Sequence, residues 1–458
     1  MENTNNINNI NSTKGIAVIG LGFIGLPLAL SYAIRGVRVV GIDVLPDLID
    51  EINQGVTHHL ERYNDLSIRD ILNEQLTAKR FHATTDYLEA SKLVDTYIVT
   101  VGIPVNNSIP NYDYIDGACT SIAKVLKKGD TVIIRSTVIP GTTEERIAPL
   151  LENHSGLTAG EDFYLAYASE RIAEGRAFEE FENMPLALGG INQASGEHAR
   201  AILTIVTKAD VTISNIKTVE TAKVIENIQR DVNIAMVQQF ASFANSFGID
   251  TVELIKVANT HKRVNLLTPG PGVGGYCLPN AYYYIEPKAN ELGVSLELLS
   301  LARNINDNVP NKIIERIEQT FRPQALDTKM QSIEPLAGKK VAVLGLAMKD
   351  FSNDDRISPP IDIVKLLQEK GARVFAYDPA VVTNYDFKYD NLQDCVENAD
   401  ALLLLTMQDE FTNLKWNELI KLMNDNVTIF DAKNRISMID LQQTQASDNS
   451  KQVKLLKI

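Results

Sequence analysis

The sequence predicts an α/β protein with two doubly wound parallel sheets joined by a central region of long helices. Three observations carry this. Short apolar runs alternate with helical patterns from Gly15 onward. The stretch from Thr218 to Phe247 then holds neither proline nor glycine. Finally, the strand–helix alternation resumes at Gly338. Strands that alternate with helices form a parallel sheet covered on both faces.

The whole chain sets bounds on what it can do. Its 458 residues suffice for more than one core, and 45% apolar with 22% charged residues is an ordinary globular balance. The net charge of −14, with no basic run to offset it, argues against a nucleic-acid or membrane-surface partner. A small anionic ligand needs only a local cluster of Lys and Arg, so it stays open. No apolar run approaches the ~20 residues of a membrane span. Residues 1–14 are Asn-rich, lack a signal-peptide core and read as a disordered tail. Cys119, Cys277 and Cys395 are odd in number and far apart. That fits a reducing cytoplasm, with neither a disulfide framework nor a metal site. Cys119 and Cys395 lie in helical patterns and read as inert packing residues.

The elements follow in order. Ile16 to Ile19 form a first strand, a glycine turn and an apolar helix follow, and Val37 to Ile42 form the next strand. Further strands are expected in "TYIVTVGIP", "TVIIRSTVIPG" and "FYLAYASE". From about Lys208 to Asp307 long helices take over, with the Thr218–Gly248 stretch as a helix bridging two domains. A polar stretch over 328–335 reads as a linker. The second alternation runs through "GKKVAVLGLAMKD", "ARVFAYDP", "DALLLLT" and "VTIFDAKN". The expected domains are 15–207, a helical 208–307 and 308–458. The first and last share an architecture but no obvious sequence repeat.

Gly20, Gly22 and Gly25 form G-x-G-x-x-G between the first strand and its helix, and Asp43 ends the next strand. Gly20 permits the tight turn, Gly22 lets the backbone approach a pyrophosphate, and Gly25 lets helix and strand pack closely. The pyrophosphate would sit on free N–H groups at the helix N-terminus. Asp43 would accept from the adenosine ribose and repel a 2′-phosphate, which favours NAD over NADP. Phe23, Ile24, Val101 and Thr137 are expected to line the same cofactor site. Both α/β units are thus expected to be Rossmann-like.

"PGPGVGGYCLPNAYYY" sets Cys277 after a loop too rich in glycine for a core. A buried structural cysteine is the plain alternative. Against it stand the polar "NTHKRVN" just upstream and a dinucleotide site with no other obvious nucleophile. A thiolate beside NAD suggests aldehyde oxidation through a thioester. Lys223, Asn227 and Arg230 fall at i, i+4 and i+7 of one helix and would suit an oxyanion or a phosphate. Glu170 and Glu174 in "YASERIAEGRAF" straddle a turn after a strand, as surface charge or as functional groups.

Taken together, the chain resembles the nucleotide-sugar 6-dehydrogenases, from Gly15 to about Arg435. The resemblance rests on "GLGFIGLPLA", "STVIPGTT", "SERIAEGRA", "AKVIENIQRDVNIA", "NTHKRVNLLTPGPGVGGYC" and "GLAMKDFSNDDRISP". "NTHKRVN" and "PGPGVGGYC" are similar to the branch that acts on UDP-N-acetylhexosamines, of either the manno or the gluco configuration. The resemblance implies a two-fold oxidation of the C6 alcohol to a carboxylate with two NAD, through a thiohemiacetal and thioester on Cys277. It implies Lys223 and Asn227 as oxyanion donors, Thr137 and Glu174 around a water, and Glu170 in the same pocket. Arg171, Arg230, His261, Arg263, Gly274, Lys349 and Arg356 would serve the sugar or diphosphate. The last domain would hold the uridine, and the central helix would join a homodimer. Tyr276 stands where the branch has His, Tyr282 where it has Pro, and Ala281 where it has an acid–base aspartate. Oxidation of UDP-glucose, release of an aldehyde, and sugar-nucleotide binding alone remain the alternatives.

Overall fold

The structure is a computed structural model that describes residues 13–106, 108–172, 175–322, 334–437 and 451–458. The chain divides into two compact units, Met1–Glu226 with Tyr283–Val294, and Asn227–Tyr282 with Ser295–Ile458.

The first unit is built on an eight-stranded sheet: β1 (Ile16–Ile19), β2 (Val39–Ile42), β3 (Phe81–Thr84), β4 (Thr96–Val99), β5 (Thr131–Ile134), β6 (Tyr164–Ala168), β7 (Leu186–Gly190) and β8 (Val211–Ser214). Their spatial order is β8-β7-β6-β5-β4-β1-β2-β3. β1, β2, β4 and β5 are buried along their whole length, as strands covered on both faces must be. The order from β3 to β6 is that of a dinucleotide-binding sheet, with its switch point between β1 and β4. Two features depart from the sequence expectation. β7 runs antiparallel to β6, and β8 extends the sheet beyond Lys208, where helices were expected. β8 is a mostly exposed edge strand, so it carries no apolar run to reveal it. Helix α1 (Gly25–Ala33) is buried all round, which its all-but-apolar sequence requires.

Residues 1–12 of the expected tail lie outside the described residues. Thr13 and Lys14 do not continue it: the Thr13 hydroxyl donates to Asp95 Oδ1 at 2.5 Å and the Lys14 amide to Oδ2 at 2.8 Å.

Helix α2 (Ile216–Ser246) carries the chain from one unit into the other, and α3 (Thr251–Ala258) follows it. Helix α4 (Cys277–Glu291) also crosses the division, and α5 (Glu297–Asp307) and α6 (Val309–Phe321) belong to the second unit. The second sheet has five strands, all parallel: β9 (Lys340–Leu344), β10 (Arg373–Tyr377), β11 (Ala401–Leu404), β12 (Asn426–Asp431) and β13 (Gln452–Lys457). Their order is β10-β9-β11-β12-β13, with the switch point between β9 and β11. Helix α7 (Pro359–Glu369) follows the loop after β9. Most of the expected linker, residues 328–333, lies outside the described residues.

Candidate functional site

In the first unit the turn after β1 is shaped by its glycines. Gly20 has φ +91°, a conformation that side-chain-bearing residues rarely adopt. A Cβ on Gly25 would lie 1.7 Å from the Gly20 carbonyl oxygen, so only glycine fits there. A Cβ on Gly22 would meet nothing within 4 Å. That space lies beside the first turn of α1, which has no side-chain cap, so its N–H groups can receive a phosphate. Asp43 Oδ2 accepts from the Leu21 amide at 2.8 Å and Oδ1 from the Leu45 amide at 3.2 Å. The carboxylate is half-buried and keeps lone pairs for a ribose. These residues fit NAD. Phe23, Ile24, Val101 and Thr137 are half-buried. Sequence reasoning missed His58 and His59, whose rings lie 5.7 and 5.4 Å from the Phe23 ring. Burial pushes His59 down to about 4, and its Nδ1 meets Thr57 Oγ1 at 2.6 Å.

The loop that carries Thr137 is fastened from α2. Glu220, fully buried, accepts from the Gly141 amide at 2.6 Å and the Thr143 amide at 2.9 Å. Burial pushes its carboxyl up to about 7, against the opposing pull of those bonds. Glu170 is buried rather than a surface charge. It pairs with Arg135 Nε at 2.6 Å and accepts from the Ile172 amide at 2.8 Å. Arg171 forms a two-pronged ion pair with Glu226, one prong at 3.0 Å, and also donates to the Pro185 carbonyl. Glu174 lies outside the described residues.

The second unit holds the cysteine. Cys277 follows the glycine loop as the first residue of α4 and is exposed. The loop ends at Gly275 and Tyr276. Pro279 falls in the first helical turn, where its missing N–H breaks no hydrogen bond. A helix N-terminus favours negative charge on an oxygen beside it. The other two cysteines are buried, and burial pushes both thiols up, as inert packing residues require.

Side chains of α2 fix the loop before Cys277. Asn233 donates to the Asn265 carbonyl and accepts from the Leu267 amide, and Gln238 donates to the Gly270 carbonyl. Gly275 donates its N–H to the Ile357 carbonyl at 3.1 Å. A Cβ on Gly274 would meet that same oxygen at 2.5 Å and Pro359 at 2.7 Å. Asn227 is buried, and its Nδ2 reaches the Cys277 carbonyl at 3.4 Å. Lys223, one turn earlier on α2, is buried as well.

Arg230 does not share that buried stripe; it is exposed, its long side chain free to reach water. The buried place falls to Asp231, held by Arg303 Nη1 at 2.6 Å and Asn306 Nδ2 at 2.8 Å. Arg356 is clamped by Asp354 through two bonds of 2.7 Å and lies over the Tyr276 ring at 5.2 Å. His261 and Arg263 are exposed and Lys349 is half-buried. Ala281 is wholly buried, one turn after Cys277. Asn280 beside it is 4% exposed, and its Nδ2 has no hydrogen-bond partner among the described residues.

The turn after β9 repeats the turn after β1. Gly345 has φ +89°, and Asp378 accepts from the Leu346 amide at 2.7 Å, as Asp43 does from that of Leu21. Asp378 accepts from Ala347, Ala380, Val381 and Gln408 as well and is buried.

Comparison with known proteins agrees with this geometry. Three domains of the UDP-glucose/GDP-mannose dehydrogenase family match in order: the NAD binding domain over residues 14–207, the central domain over 217–308 and the UDP binding domain over 342–438. A UDP-N-acetyl-D-mannosamine dehydrogenase of Pyrococcus horikoshii is 36% identical, over 92% of this chain and 96% of that protein. A Campylobacter jejuni enzyme of the same name is 32% identical, over 90% and 99%. The native structure of the UDP-N-acetyl-mannosamine dehydrogenase of Staphylococcus aureus superposes with a TM-score of 0.80 at 31% identity, over 96% of this chain and 98% of that one. With matched domains spanning most of its length and a turn after β1 that fits NAD, the chain belongs to the UDP-glucose/GDP-mannose dehydrogenase family and is an NAD-dependent nucleotide-sugar dehydrogenase.

Proposed function

We propose that this chain oxidises the C6 alcohol of a UDP-N-acetylhexosamine to the uronic acid, with UDP-N-acetyl-D-mannosamine as the first candidate. The observation that carries the reading is an exposed thiol opening a helix behind a loop that buried amides of α2 hold in place. NAD would supply the hydride acceptor, one molecule for each of the two oxidations at C6. Cys277 Sγ adds to the C6 aldehyde, and water later cleaves the resulting thioester and frees the thiol. Lys223 and Asn227 donate to the oxygen on C6, an effect of about 3–4 kcal/mol per donor in comparable sites. Thr137 and Glu174 position the water, and Glu170, held by Arg135, belongs to the same pocket. His261, Arg263, Lys349, Arg356, Arg230 and Arg171 serve the sugar and diphosphate, directly or by holding the loops that do. Gly274 lets the loop pass close to Ile357 and Pro359. We further propose a homodimer joined through the exposed apolar stripe of α2. The three free thiols support a reducing compartment, the cytoplasm.

A panel of UDP-N-acetylmannosamine, UDP-N-acetylglucosamine and UDP-glucose with NAD tests the reading. Two NADH per sugar from a hexosamine are expected. Cys277→Ser should lose at least 100-fold in turnover yet still bind the UDP-sugar. Oxidation of none of the three would overturn the proposal. The buried methyl of Ala281 favours one other reading, release of the aldehyde, which would yield a single NADH per sugar.

A further inference from the structure

We infer that Asn280 is a catalytic residue of the Cys277 centre, its side-chain amide donating to the oxygen on C6 in the tetrahedral species formed on Sγ. The inference rests on the proposed function and adds a group to it. A buried amide N–H without a partner costs stability, and such exceptions concentrate where a ligand or a reacting group completes the bond. Asn280 lies three residues after Cys277 on α4. Helical side chains lean toward the N-terminus, and residues three or four apart share a face. Asn280 and Ala281 therefore cover the turn that Cys277 opens. Ala281 brings only a methyl, so the amide of Asn280 is the sole polar side-chain group of that pair. The neighbouring amide of Asn227 has one of its two N–H groups on the Cys277 carbonyl and keeps the other.

The chemistry suits a donor and not a base, because a neutral amide takes no proton. When water adds to the thioester carbon, the carbonyl π pair moves onto oxygen, where Asn280 meets it. That pair then re-forms the carbonyl, the C–S bond breaks with its electrons returning to Sγ, and the protons from water pass to solvent. The products are the carboxylate and the freed cysteine.

Asn280→Leu keeps the shape of the side chain and removes the donor. The expected result is a higher Tm, because the unpaired group is gone, with kcat lowered ~100- to 1,000-fold. KM for NAD and the rate of Cys277 alkylation by iodoacetamide should change less than about twofold if, as in residue-specific catalysis, only the transition state is affected. Should Asn280→Leu not fold, Asn280→Ala carries the test: it is small and helix-compatible, lacks the donor, and should show the same loss. Wild-type kcat in either variant overturns the assignment. So does a lower Tm with altered alkylation, which marks a structural role. A wild-type chain that oxidises no nucleotide sugar overturns the proposed function and this inference with it, whereas an active wild type with an active Leu variant overturns only this one.

Discussion

Asp43 holds the Leu21 and Leu45 amides and keeps acceptor capacity for a ribose. Asp43→Asn keeps an acceptor for Leu21 and removes the charge that repels a 2′-phosphate. We expect the ratio of kcat/KM for NADP over NAD to rise about tenfold or more, the size of a lost charge-assisted hydrogen bond. Steady-state kinetics with both cofactors measures it, and an unchanged ratio would assign ribose recognition elsewhere. At this scale the glycines and the acid were legible in the sequence, because each answers a backbone requirement at a fixed spacing. Gly25 is the clearest, with no room for a Cβ. Glu220 and Asn280 were not legible. A carboxylate that fastens a distant loop and an amide whose meaning is a missing partner leave no spacing signature. Arg230 misled for a related reason: periodicity gives the direction of Cβ, while burial depends on what packs there.

The loop and helix around Cys277 act together as an element. Gly274 passes so close to Ile357 and Pro359 that Gly274→Ala must push the loop outward by a sizeable fraction of an ångström. A displacement near 1 Å at a reacting group can cost about 100-fold in rate. We expect Gly274→Ala to lower kcat by roughly 10- to 100-fold and to lower Tm by a few degrees, measured by NADH formation and thermal melting. Wild-type values in both would show that the close approach has slack. The sequence revealed the loop through its glycines and prolines but not its end. Pro279 reads as a breaker, although a proline in the first turn is compatible with a helix. In the first sheet, the buried strands announced themselves as continuous apolar runs, while edge strand β8 did not.

At the scale of the whole molecule, α2 and α3 leave apolar side chains in water. Phe243 is 64% and Phe247 72% exposed, their rings stacked at 5.9 Å, and Met236, Phe240, Val252 and Val257 are exposed as well. A stripe of this kind marks an interface, and a second copy of the chain is the proposed occupant. Phe243→Glu with Phe247→Glu should yield a folded monomer by light scattering where the wild type is a dimer, and a wild-type monomer would end the proposal. The sequence displayed the two α/β halves and the long helices because each has its own period. It hid the likeness between the two turns, since only Gly-Leu and a later aspartate recur there. Asp43 retains unfilled acceptor capacity, whereas Asp378 spends its two oxygens on four amides and a glutamine. Where the first copy has Gly22, the second has Ala347, and where the first has Gly25, the second has Asp350. The repeated bracket is thus open in one half and shut in the other. Two nucleotides of similar build meet unlike hosts, one offering a free acceptor beside bare backbone and the other offering neither.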